Sequence, residues 1–461
     1  MKRSSVQSSF SRVSTYLTRV SKAQDIRRKL LITLLILIIY RLAAHIPVAG
    51  VNRDVFANIF NNPGGAGTFV NLLDMLSGGT VSNFSVMAMG VYPYITAQII
   101  LQLLIPIVPS WKQRMEDDQR EGRRWMERWT YYLSIPMAAL QAIGQINIFT
   151  SLAGAPVIAN FGFSGAQLLP SVAIIVSMTA GTMFGIWLGE LISEYGLRQQ
   201  GLSLIIFAGI VAQIPQNFGS LLSDENNRVF LLIFMVLLMV ATVFLIIFVQ
   251  QGRRNVPVMY PGRRVGSRMS MPVKGTLPLM VNMAGMIPLI FAQSLLTFPA
   301  VIASFFLLSQ TQWVRDAAQW TQDTFGGTTG VYWLLYFIMV VGFTFFYTDV
   351  LFAQQNYGEN LKKAGAQIPG VSRGEKTQEY LTKVLRRITL PGAFFLGFIA
   401  VIPYVISLIL SGLGIPLLQN AGLFLISSSG LLIVVGVVRD VFFSIDAELK
   451  LHGYEDTLLV R

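Results

Sequence analysis

TFVNLLDMLSGG, residues 68–79, is apolar enough to enter a membrane and too short to cross one. As a helix, residues 68–77 would measure about 15 Å, half of a core about 30 Å thick. Asp74 interrupts the stretch, and Gly78 and Gly79 end it with a pliable exit. The backbone groups at the end of a half-span cannot be left unpaired in lipid, so such a fragment needs protein or water around it. Asp74 is tolerable only if it faces a watery space. The stretch therefore asks for a large helical assembly with an aqueous interior.

The rest of the chain supplies the helices. It has 461 residues, 53% hydrophobic and 13% charged, where a soluble domain carries about 25% charged residues. Apolar runs long enough to span recur at 29–47, 83–107, 126–148, 168–190, 202–221, 228–250, 277–308, 330–354, 386–410 and 421–445. The seventh is long and is expected to tilt or bend at Pro288 and Pro299. Residues 1–28 are polar and basic without a cleavage site, so the first run reads as a retained span.

Positive charge orients the runs. With the N-terminus inside, the outer connections hold only Arg53, Arg228 and Arg315 among 35 Lys and Arg. Ten spans with both termini in the cytoplasm keep this asymmetry. Three inner segments are rich in charge: 108–125, 251–276 and 355–387. The second carries Arg253, Arg254, Arg263, Arg264 and Arg268; the third includes Arg373 and Lys376. Such charge enforces topology and attracts anionic lipid. Two long loops with Pro/Gly turns at their tips also suit docking of an acidic or nucleic-acid partner.

Enzyme chemistry is not legible. There is no cysteine, which excludes disulfides, thiolate metal sites and a cysteine nucleophile. His45 and His452 lack metal-ligand spacing. GVSRGEKT, residues 370–377, lacks the Gly-Lys of a phosphate-binding loop and reads as a turn. No enzyme activity, metal or cofactor is expected. A secondary transporter of a small solute is the rival, since inverted repeats of five spans would fit. Transporters, however, usually place ionisable groups at mid-membrane. Here Arg41, His45, Glu190, Asp349 and Asp440 all fall near run ends.

Longer motifs are more specific. NLLDMLSGGTVSNFSVMAMGVYPYITAQIILQLL (71–104), GTMFGIWLGELISEYG (181–196), LSLIIFAGIVAQIP (202–215), LPLMVNMAGMIPLIFAQSLLTFPA (277–300), NLKKAGAQIPGV (360–371) and GYEDTLL (453–459) together resemble the SecY family of protein-conducting channels, in order and over nearly the whole chain. The resemblance implies an all-α polytopic membrane protein. Ten transmembrane helices would form two pseudo-symmetric five-helix halves around a central pore, with a short plug half-helix. The basic segment 1–28 would precede an N-terminal half, 29–222. A C-terminal half, 223–445, and a tail, 446–461, would follow. The activity implied is passage of unfolded polypeptide across the cytoplasmic membrane and lateral release of transmembrane segments into lipid.

The resemblance also implies site residues. Val91, Ile95, Leu202, Ile206, Ile290 and Ile433 would ring the pore waist. Val91 and Ile95, like Leu202 and Ile206, are spaced i, i+4 and share a helix face. Aliphatics at that spacing more often face lipid or other helices, but a narrow apolar ring excludes water and ions by dewetting. The plug would be 68–77, with Phe69, Val70, Leu72, Leu73, Asp74 and Leu76. A lateral gate would lie where the second and third spans meet the seventh and eighth. Ser85, Thr96, Gln98 and Gln102 fall on the second span, and Asn282, Gln293 and Ser294 on the seventh. They either loosen dry packing there or hydrogen-bond neighbouring helices. The basic loops would dock the ribosome and the motor ATPase SecA through Arg253, Arg254, Arg263, Arg264, Arg268, Arg373 and Lys376. SecE and SecG would be the small membrane subunits, and preproteins with signal sequences the substrate. Three departures stand out. PGVSRG (369–374) replaces the family's PGIRPG, Met280 replaces the lysine of LPLKVN, and RQQG (198–201) replaces GNG.

Overall fold

A computed structural model describes residues 23–52, 84–222, 228–306, 311–325, 329–412 and 428–451, with short gaps at 106, 154, 159–160, 163–164, 198–199, 262–263, 266–267, 270–272, 305 and 356. The helices are α1 (Gln24–Ala43), α2 (Tyr92–Leu104), α3 (Pro109–Asp117), α4 (Gln119–Ala153), α5 (Leu168–Tyr195), α6 (Gly201–Leu222) and α7 (Arg228–Gln250). After a β-hairpin come α8 (Ile287–Ser304), α9 (Gln312–Phe325), α10 (Gly330–Gln355), α11 (Tyr357–Lys363), α12 (Glu375–Gly412) and α13 (Ser428–Leu451).

A helix lies in each of the ten expected runs. Among the described residues, four helical stretches are long and apolar enough to cross a bilayer: Arg120–Thr150, Leu168–Tyr195, Gly330–Lys363 and Glu375–Ile402. A fifth is added if Tyr92–Leu104 and Pro109–Met115, bent by 102°, count as one span. Two prolines mark the break: in sequence Pro106 directly follows Ile105, the C-cap of α2, and Pro109 opens α3. Asp118 then starts α4 afresh. Its carboxylate accepts from the Arg120 N–H at 2.8 Å and the Glu121 N–H at 3.3 Å. Those bonds hold its carboxyl below the usual range.

The all-α expectation needs one correction. β1 (Arg253–Tyr260) and β4 (Val273–Met280) pair antiparallel, from Arg253 opposite Met280 to Tyr260 opposite Val273. A second short pair, β2 (Arg264–Val265) and β3 (Arg268–Met269), lies toward the tip. The seventh run, expected at 277–308, therefore opens in a strand. Its helix begins only at Ile287. Alternation is the physical reason. In β1, Val256 and Val258 point to a buried side while Arg253, Arg254, Asn255 and Pro257 are exposed. Hydropathy alone reads LPLM as membrane sequence. Pro288 sits in the first turn of α8, where no helical N–H is required, and Pro299 lies inside the helix.

Close helix approach is set by glycine. Gly181, Gly185 and Gly189 recur every fourth residue on the buried face of α5. A Cβ at Gly181 would lie 2.3 Å from the Val86 carbonyl oxygen. One at Gly185 would lie 3.0 Å from Met87, and one at Gly189 would lie 2.9 Å from Leu202. The stripe thus seats both the turn segment before α2 and the start of α6. Across the chain, Lys29 at the start of α1 pairs with Glu448 near the end of α13.

Candidate functional site: an aliphatic cluster, a polar seam and a basic hairpin

One apolar cluster draws residues from α1, α2, α5, α6, α8 and α13. Val91 at the entry to α2, Ile206 on α6, Ile290 on α8 and Ile433 on α13 are buried in it, and Ile95 and Leu202 pack against it. All six candidate ring residues thus fall in one contiguous group. Val91 precedes α2 rather than lying in it. Its carbonyl still accepts the Ile95 N–H at 3.2 Å, so the two side chains keep their one-turn spacing. Leu202 is placed by the crossing of α5 and α6. The Ser193 hydroxyl donates to the Gly189 carbonyl at 3.1 Å and accepts the Gly201 N–H at 3.1 Å.

The candidate plug, with Phe69, Val70, Leu72, Leu73, Asp74 and Leu76, lies outside the described residues, as does Arg263.

α8 packs against α2, α4 and α10. Thr96 on α2 is buried, donates to the Pro93 carbonyl at 2.9 Å and accepts from Gln141 Nε2 on α4 at 3.1 Å. The Tyr92 hydroxyl reaches the Ser294 carbonyl of α8 at 3.4 Å. Gln293 is buried on α8. Gln98 and Gln102 are half-buried on α2. The Gln102 Oε1, Gln141 Oε1 and Ser294 Oγ atoms are buried without a hydrogen-bond partner. Beside these polar groups, Ile99, Phe291 and Tyr347 cluster with Ile95 and Leu103.

Two of the expected gate residues lie just before their helices rather than on them. Ser85 lies in the turn before α2, where its hydroxyl accepts the Met87 N–H at 3.2 Å. Asn282 lies between β4 and α8 and closes a turn. It accepts the Gly285 N–H at 2.9 Å and donates to the Gly285 carbonyl at 3.1 Å. Gly285 has φ +64°, a left-handed conformation that favours glycine. Asn282 is thus committed to local structure, which residue type and spacing did not reveal. Gln141, the partner of Thr96, was missed because nothing in α4 marks one glutamine over another.

The Thr96–Gln141 pair invites a double-mutant cycle. Thr96→Val alone leaves the Gln141 amide wholly unpaired and is expected to cost about 1–3 kcal/mol. Adding Gln141→Leu should recover most of that loss, read by unfolding in detergent. Additive losses would mean the bond carries no coupling.

The two basic loops form one surface. Met259 N–H donates to the Gln367 carbonyl at 2.8 Å, and Gln367 N–H returns a bond to the Met259 carbonyl at 2.9 Å. Val256, Val258 and Leu279 of the hairpin share a core with Phe352, Leu361, Ile368, Leu381 and Leu385. Arg253, Arg254, Arg373 and Lys376 are exposed. Arg264 and Arg268 sit on the short strands toward the hairpin tip. Arg373 Nε donates to Gln367 Oε1 at 3.2 Å. PGVSRG is a turn, with Gly370 at φ +80° and Gly374 at φ +89°, and α12 begins directly after it.

The SecY family model matches residues 85–442. The chain belongs to the SecY family. It is 37% identical over 455 residues to the protein translocase subunit SecY of Halalkalibacterium halodurans, covering 95% of this chain and 98% of that one. It shares its fold with two solved structures at 18% identity, each covering 94% of this chain and 95% of the other. One is described as a protein conducting channel, at TM-score 0.61. The other, at 0.58, is described as a study of the SecY plug domain stabilising the closed channel and its membrane seal. SecY membership makes this a member of a family of translocase subunits, with apolar helices that fit a multi-pass membrane protein. It does not favour a small-solute transporter.

Proposed function

We propose that this chain is a protein-conducting channel that passes unfolded polypeptide across the cytoplasmic membrane and releases transmembrane segments sideways into lipid. The observation that carries the reading is the convergence of Val91, Ile95, Leu202, Ile206, Ile290 and Ile433 in one cluster. Aliphatic side chains impose no fixed hydrogen-bond pattern, so they can close around a passing chain of any sequence. At rest they would form a dewetted seal, with residues 68–77 as a plug on its outer side. Ten spans in two halves, 29–222 and 223–445, with both termini cytoplasmic, complete the arrangement.

The seam of α2 and α4 against α8 is the exit. It is supported by buried polar atoms that lack partners at Gln102, Gln141 and Ser294. Each weakens dry packing by about 1–3 kcal/mol and is relieved when water or a signal sequence enters. The joined basic loops are the docking surface for SecA and the ribosome, through Arg253, Arg254, Arg263, Arg264, Arg268, Arg373 and Lys376. SecE and SecG are the membrane partners.

The test is preprotein transport into proteoliposomes holding this chain with its membrane subunits and SecA. Protease-protected preprotein is expected, and Arg263→Glu with Arg264→Glu should abolish it without changing membrane insertion. Unchanged transport in that variant would remove the arginines from docking. Saturable uptake of a small solute by the chain alone would overturn the channel reading.

A further inference from the structure

α9 carries more apolar surface than its protein neighbours cover. On a helix of 3.6 residues per turn its side chains divide into three faces. Val314, Ala318 and Phe325 form one, turned toward the core. Ala318 is buried and Phe325 packs on the cluster shared by α8, α10 and α12. Arg315, Asp316, Gln319 and Asp323 form an exposed polar face. Between these two lies a third face with Trp313, Ala317 and Trp320. The two tryptophans are 74% and 67% exposed and sit two turns, about 10 Å, apart.

We infer that this third face is a membrane-interface anchor whose partner is the phospholipid headgroup layer. α9 follows the end of α8 that is remote from the hairpin and precedes the start of α10. Both helices expose large apolar side chains: Phe298 and Ile302 on α8, and Val331, Leu334 and Ile338 on α10. That band is the surface such a chain offers to acyl chains, and the Trp face continues it at the bilayer edge. Tryptophan suits that depth, because its ring is apolar and its indole N–H stays near water. Charge supplies no alternative hold. The polar face has one arginine against two aspartates, unlike a helix drawn to anionic lipid by Lys and Arg. The anchor therefore holds the far end of α8, the helix bearing Ile290 and Gln293, through apolar contact alone.

The chain lacks cysteine, so Ala317→Cys introduces a single attachment point between the two tryptophans. A nitroxide there, on the full chain in phosphatidylcholine vesicles, reports depth by its collisions with oxygen against a water-soluble nickel chelate. We expect a bias toward oxygen, the same in phosphatidylglycerol vesicles, and a shift toward nickel when Trp313→Ser and Trp320→Ser are added. A control label at Asp316→Cys should favour nickel throughout. Nickel-biased collisions at 317 with both tryptophans present would overturn the inference. So would shielding from both reagents, which marks a protein partner or second copy, or a dependence on anionic lipid. The experiment needs only that α8 and α10 lie in a bilayer, so a failed transport assay leaves it readable.

Discussion

Replacing Ile95 and Ile206 together with serine is expected to make the resting channel leak ions. Both side chains belong to the apolar cluster that also holds Val91, Leu202, Ile290 and Ile433. An apolar constriction stays dry because water gains nothing from its walls; two hydroxyls give water partners and remove the bulk that closes the gap. Chloride flux from proteoliposomes or planar-bilayer conductance reads the effect. The conservative pair Ile95→Val with Ile206→Val costs about 0.5–1.5 kcal/mol per site and keeps the walls apolar, so it should remain tight. Serine variants that unfold at the wild-type temperature yet show no leak would exclude these residues from the seal.

Gly201→Ala is expected to have the largest effect on stability. Its Cβ would lie 1.7 Å from the Gly189 carbonyl oxygen and 2.6 Å from the carbonyl carbon. The obstacle is backbone, so no rotamer change relieves it, and α5 and α6 must separate. Overpacking typically costs about 1–3 kcal/mol, and a backbone collision belongs at or above the top of that range. Separation would also carry Leu202 away from the cluster. Gly342→Ala makes the contrast. Gly342 lies on an exposed face of α10 with nothing near its Cβ position. There alanine should stabilise by about 0.5–1 kcal/mol through lower backbone entropy. Thermal unfolding in detergent compares the two. Equal behaviour would mean that the α5–α6 approach is not set by this glycine.

Much of this was legible because membrane sequence is constrained one residue at a time. Every run of apolar residues long enough to span contains a helix, since lipid tolerates no unpaired backbone. α7 shows this most simply: its expected bounds, 228–250, are those of the helix. The SecY resemblance was legible from ordered motifs and is borne out by family membership. Local chemistry that depends on neighbours was not. LPLM reads as membrane sequence until Val256 and Leu277 are seen paired across a hairpin. Asn282 reads as part of the seventh span until it is seen closing a turn on Gly285 before α8 begins. The α5 glycines, four residues apart in GTMFGIWLG, were visible as letters. Their meaning depended on what they touched.

What the sequence indicated by itself is which segments are apolar enough to hold a helix and to which family the chain belongs. Each follows from transfer free energy summed along a segment or from residue order. The tertiary structure alone decided which side chains meet. It brought six aliphatics from four elements into one cluster, joined two basic loops through Met259 and Gln367, and left Trp313 and Trp320 uncovered on α9. Those outcomes depend on how helices rotate and cross. Rotation and crossing are set by packing between segments far apart in the chain, and that information is not contained in any one of them.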